Sequence, residues 1–246
     1  MDDILKIKAE NEELKNINLV RSDLISISAH QLRTSLSASK WILKMFLDKD
    51  LGDITSEQEN LLNKAYESTE RMIMLTNEMI TLNHTEDKIL SFNFQDVDLV
   101  ELLEQTIFEF YGESHKKEIE LIFLKPSSIL NKVSVDKEMI RVVFQNLVEN
   151  SIKYSNIHGK VVISISQNED EIDLSVRDTG ITISNDDQKH IFEKFYRTEN
   201  AKQKDAIGSG LGLYTTKKIV ENHKGKIWFE SDEKGTTFFI TLPLNN

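Results

Sequence analysis

The sequence predicts two architectures in series: an antiparallel helical hairpin that pairs with a second copy into a four-helix bundle, then an α/β unit with a mixed sheet and helices on one face. Three observations carry that prediction. Through the first part of the chain, apolar residues recur at steps of three and four. Beyond Leu90, short runs of β-branched and aromatic residues alternate with helical patterns. A chain of 246 residues is long enough for two cores, and it contains no internal repeat or low-complexity tract.

Residues 2–48 contain no proline and carry Ile4, Ile7, Leu14, Ile17 and Leu24 at helical spacing. They form one helix of about 70 Å. With Ile25 at the first core position of a heptad, Ser28, Leu32, Ser35, Ser39, Ile42 and Phe46 share a stripe that Ala29, Leu36 and Leu43 widen. His30 falls on the opposite face, with Arg33 and Thr34 one turn further along it. Turn residues over 49–55 end in an N-cap signal, Thr55 or Ser56 ahead of Glu57 and Glu59. The second helix presents Leu61, Ala65, Ser68, Met72, Leu75, Met79 and Leu82, flanked by Leu62, Ile73 and Ile80. A two-helix hairpin leaves apolar surface uncovered, which predicts a homodimer through residues 1–88.

The helical period fades over 83–88. Strands are predicted at 91–94, 119–124, 133–135, 160–167, 171–178, 226–230 and 236–242. Helices are predicted at 99–113, 137–154, 185–192 and 211–223. Residues 160–178 and 226–242 read as hairpins, which makes the sheet mixed. Residues 194–207 are polar with little to bury and read as a mobile loop.

Composition excludes several functions. A net charge of −11 with few basic clusters argues against nucleic acid as a partner. The chain has no cysteine, so it has no disulfide, thiolate zinc site or cysteine nucleophile. No apolar run approaches the roughly 18 residues that cross a membrane. The acidic start, Met1-Asp2-Asp3, is unlike a signal peptide. The expectation is a cytoplasmic segment, alone or as the soluble part of a membrane-anchored protein, with no membrane contact of its own.

Four stretches carry candidate chemistry. In Ser28-Ala29-His30-Gln31-Leu32-Arg33-Thr34-Ser35-Leu36, an outward imidazole flanked by a basic side chain and a hydroxyl is either a nucleophile or a solvated histidine. In residues 145–155, Asn146, Asn150 and Lys153 share a helix face. Amide oxygens suit Mg²⁺ with phosphates, and an ammonium suits phosphates; a plain polar surface is the alternative. Asp178-Thr179-Gly180 ends a strand and offers a carboxylate to an exocyclic amine such as that of adenine, or is simply a turn. Gly208-Ser209-Gly210-Leu211-Gly212-Leu213 precedes a helix and lets backbone amides approach phosphate, or is simply a tight turn.

Taken in this order, the segments resemble the catalytic core of the sensor histidine kinases of two-component systems. Residues 28–36 look like the H-box, 146–155 the N-box, 178–183 the first glycine box, 191–196 the F-box and 208–213 the second glycine box. Gly235-Thr236-Thr237-Phe238 resembles the last box. The resemblance covers nearly the whole chain. It implies an N-terminal helix or coiled-coil linker (1–27) and a dimerisation and histidine-phosphotransfer hairpin (28–88). An ATP-binding α/β sandwich of the Hsp90, MutL and type II topoisomerase kind follows (89–246).

By position, the resemblance implies that His30 accepts the γ-phosphoryl group of ATP and passes it to an aspartate of a response regulator receiver domain. Gln31, Arg33 and Thr34 stand beside His30, and Thr34 matches a position associated with regulator dephosphorylation. Asn146 and Asn150 hold Mg²⁺ and phosphates, with Lys153 beside them and Tyr154 against the nucleotide. Asp178, followed by Gly180, binds the adenine amine, and Phe192 and Phe195 anchor a lid. Gly208, Gly210, Leu211 and Gly212 cradle phosphates, and Thr237 completes the set.

Three residues depart from the family pattern. Gln31 replaces an acid that could take the imidazole proton, which implies slow autophosphorylation, or a nucleotide- or regulator-binding scaffold without kinase activity. Ser35 replaces a proline and implies a straighter helix. Thr182 replaces a glycine; if the position requires positive φ, this strains the loop and weakens nucleotide binding.

Overall fold

The computed structural model describes residues 2–86, 92–205 and 208–244. Before Gln31 only some side chains are described, that of His30 not among them, and none is described over 78–86. The chain divides into two compact units, Met1–Leu90 and Ser91–Asn246. Among the described residues, no helix is long and apolar enough to cross a membrane.

The first unit is two helices, α1 (Asp2–Leu47) and α2 (Ser56–Glu86). α1 runs without interruption through Ser35, whose hydroxyl donates back to the Gln31 carbonyl at 3.1 Å. The helix stops with Lys49 at φ 65°: Lys49 N–H bonds Phe46 O at 3.1 Å and Asp50 N–H bonds Met45 O at 3.0 Å, a paired helix-ending motif. α2 starts with a reciprocal cap, Gln58 N–H to Thr55 Oγ1 at 3.2 Å and Thr55 N–H to Gln58 Oε1 at 2.8 Å. Arg33 reaches Asn77, and Lys40 pairs with Glu70, so the helices run antiparallel.

The seam between these helices differs from the expected stripe. Ala29, Leu36, Leu43 and Leu47 face Leu62, Thr69, Ile73 and Thr76, all buried or half-buried. Leu32, Ile42 and Phe46, with Leu61, Met72 and Leu75, stand exposed instead. Ala29, Leu36, Leu43, Leu62 and Ile73, which widened the predicted stripes, thus lie on the seam, joined by Leu47, Thr69 and Thr76. Arg33 is half-buried against α2 rather than on the outer face. Met79, Ile80 and Leu82 lie outside the described side chains.

The second unit runs β1 (Phe94–Val97), α3 (Leu99–Lys116), β2 (Glu120–Leu124), β3 (Val133–Asp136), α4 (Lys137–Tyr154), β4 (Lys160–Gln167) and β5 (Glu171–Asp178). It continues with α5 (Glu199–Lys204), α6 (Gly212–Asn222), β6 (Lys226–Asp232) and β7 (Gly235–Pro243). β2-β4-β5-β7-β6 form one sheet, parallel only between β2 and β4, while β1 and β3 pair antiparallel as a separate ribbon. The mixed sheet matches the sequence reading; the ribbon was not foreseen, and the first strand lies nearer Asp98 than expected. Alternation sends Val161, Ile163 and Ile165 of β4, Ile172, Leu174 and Val176 of β5, and Phe238, Ile240 and Leu242 of β7 into the core. There they meet the apolar faces of α3, α4 and α6. The other sheet face carries the Ser164–Ser175 hydroxyl pair at 2.7 Å and Trp228 stacked on Phe239 at 5.3 Å.

Two loop expectations are corrected. Residues 185–192 form only a short 3₁₀ turn, Asp187–Lys189, because the Ser184 and Tyr196 hydroxyls both bond Asp187 and close the chain locally. Residues 194–205 contain α5, whose N-cap is Thr198 with Ala201 N–H donating to its Oγ1 at 3.1 Å. Ala206 and Ile207 lie outside the described residues.

α3 and α4 are capped by Asp98 and Asp136, each carboxylate accepting two amides of the first turn. The fully buried His223, just past α6, accepts the Asp136 N–H on Nε2 at 3.0 Å and donates from Nδ1 to Ile219 O at 2.7 Å. Phe92 and Phe94 pack on the ring. Burial holds the imidazole below its ordinary value of 6.5 and therefore neutral. The unfolded chain then binds more protons below about pH 6.5, so stability is lost as the pH falls through that range. His223→Ala is expected to cost about 2–3 kcal/mol at pH 7.5 through the cavity and the orphaned amide. The deficit should narrow below pH 6.5, where only the wild type loses this contribution, as read by urea unfolding of Trp228 fluorescence in a Trp41→Phe background.

Candidate functional site

α4 supplies two faces with different chemistry. Leu147, Val148 and Ile152 are in the core, while Asn146, Asn150, Lys153 and Tyr154 are half-buried along the opposite side. The Asn146 amide nitrogen donates to Gly212 O at 3.4 Å and Thr216 Oγ1 at 3.3 Å, tying the helix to the start of α6. Among the described residues, no group of three or more His, Cys, Asp or Glu forms a metal site. The Asn146 and Asn150 amide oxygens are a donor set that fits Mg²⁺ shared with phosphate oxygens.

Asp178 ends β5 with its side chain on the core-facing side, 3% exposed. Its Oδ1 accepts the Gly180 N–H at 2.8 Å, and the Thr236 amide also bonds it. Burial outweighs both bonds and raises the carboxyl from 3.8 to about 6. Gly180 is required here because any side chain would run into the Tyr154 carbonyl. That carbonyl accepts Ile181 N–H at 3.1 Å, so the end of α4 lies against the end of β5.

Two assignments near Asp178 are corrected. Strand alternation turns Thr237 to the opposite face of β7, and the buried Thr236, paired in register with Asp178, is the residue beside the carboxylate. Thr182 does not have positive φ, so the expected strain in that loop is not present. Instead Ile183 N–H bonds Ser231 Oγ at 2.9 Å, and the Ser231 and Thr236 hydroxyls lie 2.9 Å apart.

The glycine segment leads into α6. Gly210 has φ +78°, and a Cβ there would come within 2.7 Å of the Phe195 backbone. Phe195 N–H in turn bonds Gly210 O at 3.0 Å. Leu211 is buried, with its amide on Ser209 Oγ at 3.1 Å. Gly212 has room for a side chain, the Asn146 Oδ1 being 3.6 Å from a Cβ placed there. No side chain caps the α6 N-terminus, unlike α3, α4 and α5. An uncapped N-terminus following a glycine turn suits an anion.

The segment before the glycines is held by charges that the sequence reading missed. Arg197 donates to Gly208 O at 2.8 Å, to Ala201 O at 2.9 Å and to the Asp205 carbonyl. Asp205 Oδ2 accepts the Gly208 N–H at 2.8 Å and pairs with Lys153 Nζ at 2.6 Å. Lys204 Nζ bonds the Tyr154 and Ser155 carbonyls, both at 2.6 Å, at the C-terminus of α4. Phe192 is half-buried against Phe229, but Phe195 is 70% exposed and anchors through its backbone alone. The ring expected with Phe192 to anchor a lid is thus outside the core, where Ile191 and Tyr196 hold this segment with Phe192. Only Arg197 and the Lys204-Asp205 pair, charged residues ahead of a glycine turn, could have signalled the network.

In the first unit, Gln31 and Thr34 are exposed and Arg33 donates to Asn77 Oδ1 at 3.3 Å. His30 lies within α1, and its predicted outward side chain falls outside the described ones.

Residues 135–246 match the family model described as "Histidine kinase-, DNA gyrase B-, and HSP90-like ATPase". The sensor histidine kinase WalK of Bacillus subtilis (strain 168) is 32% identical over 99% of this chain, which spans 40% of that protein's length. The catalytic domain of histidine kinase ThkA is 30% identical with a TM-score of 0.56, covering 63% of this chain and 99% of its own. Histidine kinase ThkA in complex with response regulator protein TrrA shares the fold, with a TM-score of 0.62 at 24% identity, over 96% of this chain and 66% of that one. At 30% identity over 99% of the ThkA catalytic domain, this chain belongs to the histidine kinase family.

Proposed function

We propose that this chain is the catalytic part of a protein histidine kinase. ATP bound by the Ser91–Asn246 unit phosphorylates His30, and the phosphoryl group passes to an aspartate on a response regulator receiver domain. The observation that carries the reading is one unit's pairing of the buried Asp178 carboxylate with an uncapped, glycine-led helix N-terminus and the Asn146, Asn150 and Lys153 face. A purely structural strand end has no use for a carboxylate that burial pushes up to about 6. It suits the exocyclic amine of adenine.

Asn146 and Asn150 orient the phosphates through their amide N–H groups, leaving the amide oxygens for a cation, and the 208–212 backbone and α6 N-terminus bind them. Mg²⁺, held by the same amides, would neutralise charge on the transferred group. His30 supplies an imidazole nitrogen: the N–P bond forms as the bond from γ-phosphorus to the ADP oxygen breaks, and ADP leaves. Gln31 can orient the ring but cannot take the proton that the other ring nitrogen sheds, so that proton passes to water and the step is slow. In the transfer, the regulator's aspartate oxygen bonds phosphorus as the N–P bond breaks. Thr34 supplies a hydroxyl that orients water toward the regulator's phosphoaspartate, giving a phosphatase activity. The solved ThkA–TrrA complex supports a regulator as partner.

Residues 28–88 serve as the dimerisation and phosphotransfer part. The exposed Leu32, Ile42, Phe46, Leu61, Met72 and Leu75 supply the surface that a second copy covers to complete a four-helix bundle. The scaffold alternative rests on Gln31 alone, because Thr182 sits in ordinary backbone conformation.

Incubation with γ-labelled ATP and Mg²⁺ should yield acid-labile, alkali-stable label on the wild type and none on His30→Ala, with faster labelling of Gln31→Glu. ATP binding without any label would leave the scaffold. Asp178→Asn should weaken ATP binding at least tenfold by calorimetry. Wild-type affinity should fall below about pH 6, as the carboxylate takes up its proton and ceases to accept from the amine. Ile42→Glu should convert a dimer into a species of 28.4 kDa by analytical ultracentrifugation; an unchanged sedimentation mass would place the interface elsewhere.

A further inference from the structure

Lys153 is the cation that the kinase reading assigns to the nucleotide phosphates, yet its ammonium is already paired. Asp205 Oδ2 lies 2.6 Å from Lys153 Nζ, and the same oxygen accepts the Gly208 N–H at 2.8 Å. Arg197 Nη2 approaches that oxygen at 3.5 Å. One anionic oxygen therefore collects an ammonium, a glycine-loop amide and the edge of a guanidinium. These are the donor types that a phosphate oxygen would draw from this cradle. The ion pair is largely withdrawn from water, with Lys153 19% and Asp205 15% exposed, so its charges are weakly screened.

The neighbouring elements are completed by backbone groups. The α5 C-terminus is completed by the Asp205 backbone, whose N–H bonds Ala201 O at 3.0 Å. Arg197 is satisfied by the Gly208, Ala201 and Asp205 carbonyls. The neighbouring Lys204 is occupied at the α4 C-terminus. The Asp205 side chain thus adds one negative charge aimed at two donors of the candidate phosphate cradle.

We propose that Asp205 is an internal competitor for the nucleotide's phosphates: its carboxylate holds Lys153 and the Gly208 amide when no nucleotide is bound and must release them to a phosphate. It thereby sets the affinity for phosphorylated nucleotides without touching recognition of the base. This inference rests on the nucleotide reading above. A carboxylate and a phosphate cannot both sit on the same ammonium and amide without close like-charge repulsion, so binding ATP costs the break of the Asp205 contacts.

The test compares adenosine, ADP and ATP binding by isothermal calorimetry to the full wild-type chain, Asp205→Asn and Asp205→Ser, with Mg²⁺ present. Asparagine keeps the shape and the acceptor for Gly208 while removing the charge. The expected result is adenosine affinity within twofold of wild type, with ATP and ADP binding tighter by on the order of tenfold in both variants. High salt should shrink the gain. ATP affinity unchanged or weakened in variants that keep adenosine affinity would overturn the proposal and make Asp205 a residue that positions Lys153 for phosphate. Loss of adenosine affinity along with ATP in both variants would also overturn it, since Asp205 would then support the whole pocket. A wild-type chain that binds neither adenosine nor ATP refutes the nucleotide reading itself, a separate failure.

Discussion

The candidate site depends on α4 being clamped at both ends while its middle stays available. At the N-terminus, the Asp136 carboxylate caps the first turn and also accepts Asn93 N–H at 2.9 Å, while the Asp136 amide is held by His223. At the C-terminus, Ile181 N–H and the Lys204 ammonium take the Tyr154 carbonyl. These contacts join α4 to the end of α6, to the loop after Asp178 and to α5. The Asn146 and Asn150 amides can therefore stay half-buried and polar without the helix drifting. Its register is fixed by its ends and its core face, and on the functional face by the Asn146 bonds to Gly212 and Thr216.

How much of this could be read from the sequence varies with the range of the interaction. The strands 160–167 and 171–178 and the helix 137–154 match their observed bounds, because strict alternation, an aspartate cap and a following turn are all local. Asp178 was legible for the same reason. The Thr236 neighbour was missed by one residue because an apolar run such as Thr236–Leu242 does not say which of two adjacent threonines faces the core; pairing with Asp178 decides it. The Asp205, Arg197 and Lys204 network was illegible because a polar stretch reads as solvated until its partners on α4 and the glycine turn are known. The hairpin seam was misjudged because both candidate stripes are apolar, and only the partner helix selects between them.

That last ambiguity has a physical content of its own. Leu32 is 55% exposed and Leu61 62%, while Ala29 on the inner seam is 1% exposed. Burying a leucine side chain contributes about 2 kcal/mol, so leaving several on one surface of a two-helix hairpin is unfavourable unless a further surface covers them. The inner seam is lined by alanine, threonine and half-buried leucine, which allows close helix approach but buries little area. Among the described side chains, the large apolar ones Leu32, Ile42, Phe46, Leu61, Met72 and Leu75 are thus directed away from the partner helix, the distribution expected of half a bundle.

Two buried titratable groups of the second unit, His223 and Asp178, act on stability in opposite directions. His223 is held neutral and favours the fold above pH 6.5. Asp178 has a folded value of about 6 against 3.8. The native state therefore binds that proton more tightly, and the fold loses stability as the pH rises from 3.8 to 6. Keeping Asp178 ionised at neutral pH costs the fold about 3 kcal/mol by the same linkage. The Gly180 and Thr236 amides and the Lys204 charge offset part of the burial without removing it. A well-packed apolar residue at the end of β5 would remove this cost, and the arrangement around it, with a glycine that tolerates no side chain and a threonine in register, keeps the carboxylate desolvated instead. Stability is given up here for an acceptor whose strength comes from its isolation from water, and a hydrogen-bond donor arriving from a ligand would recover part of what folding lost.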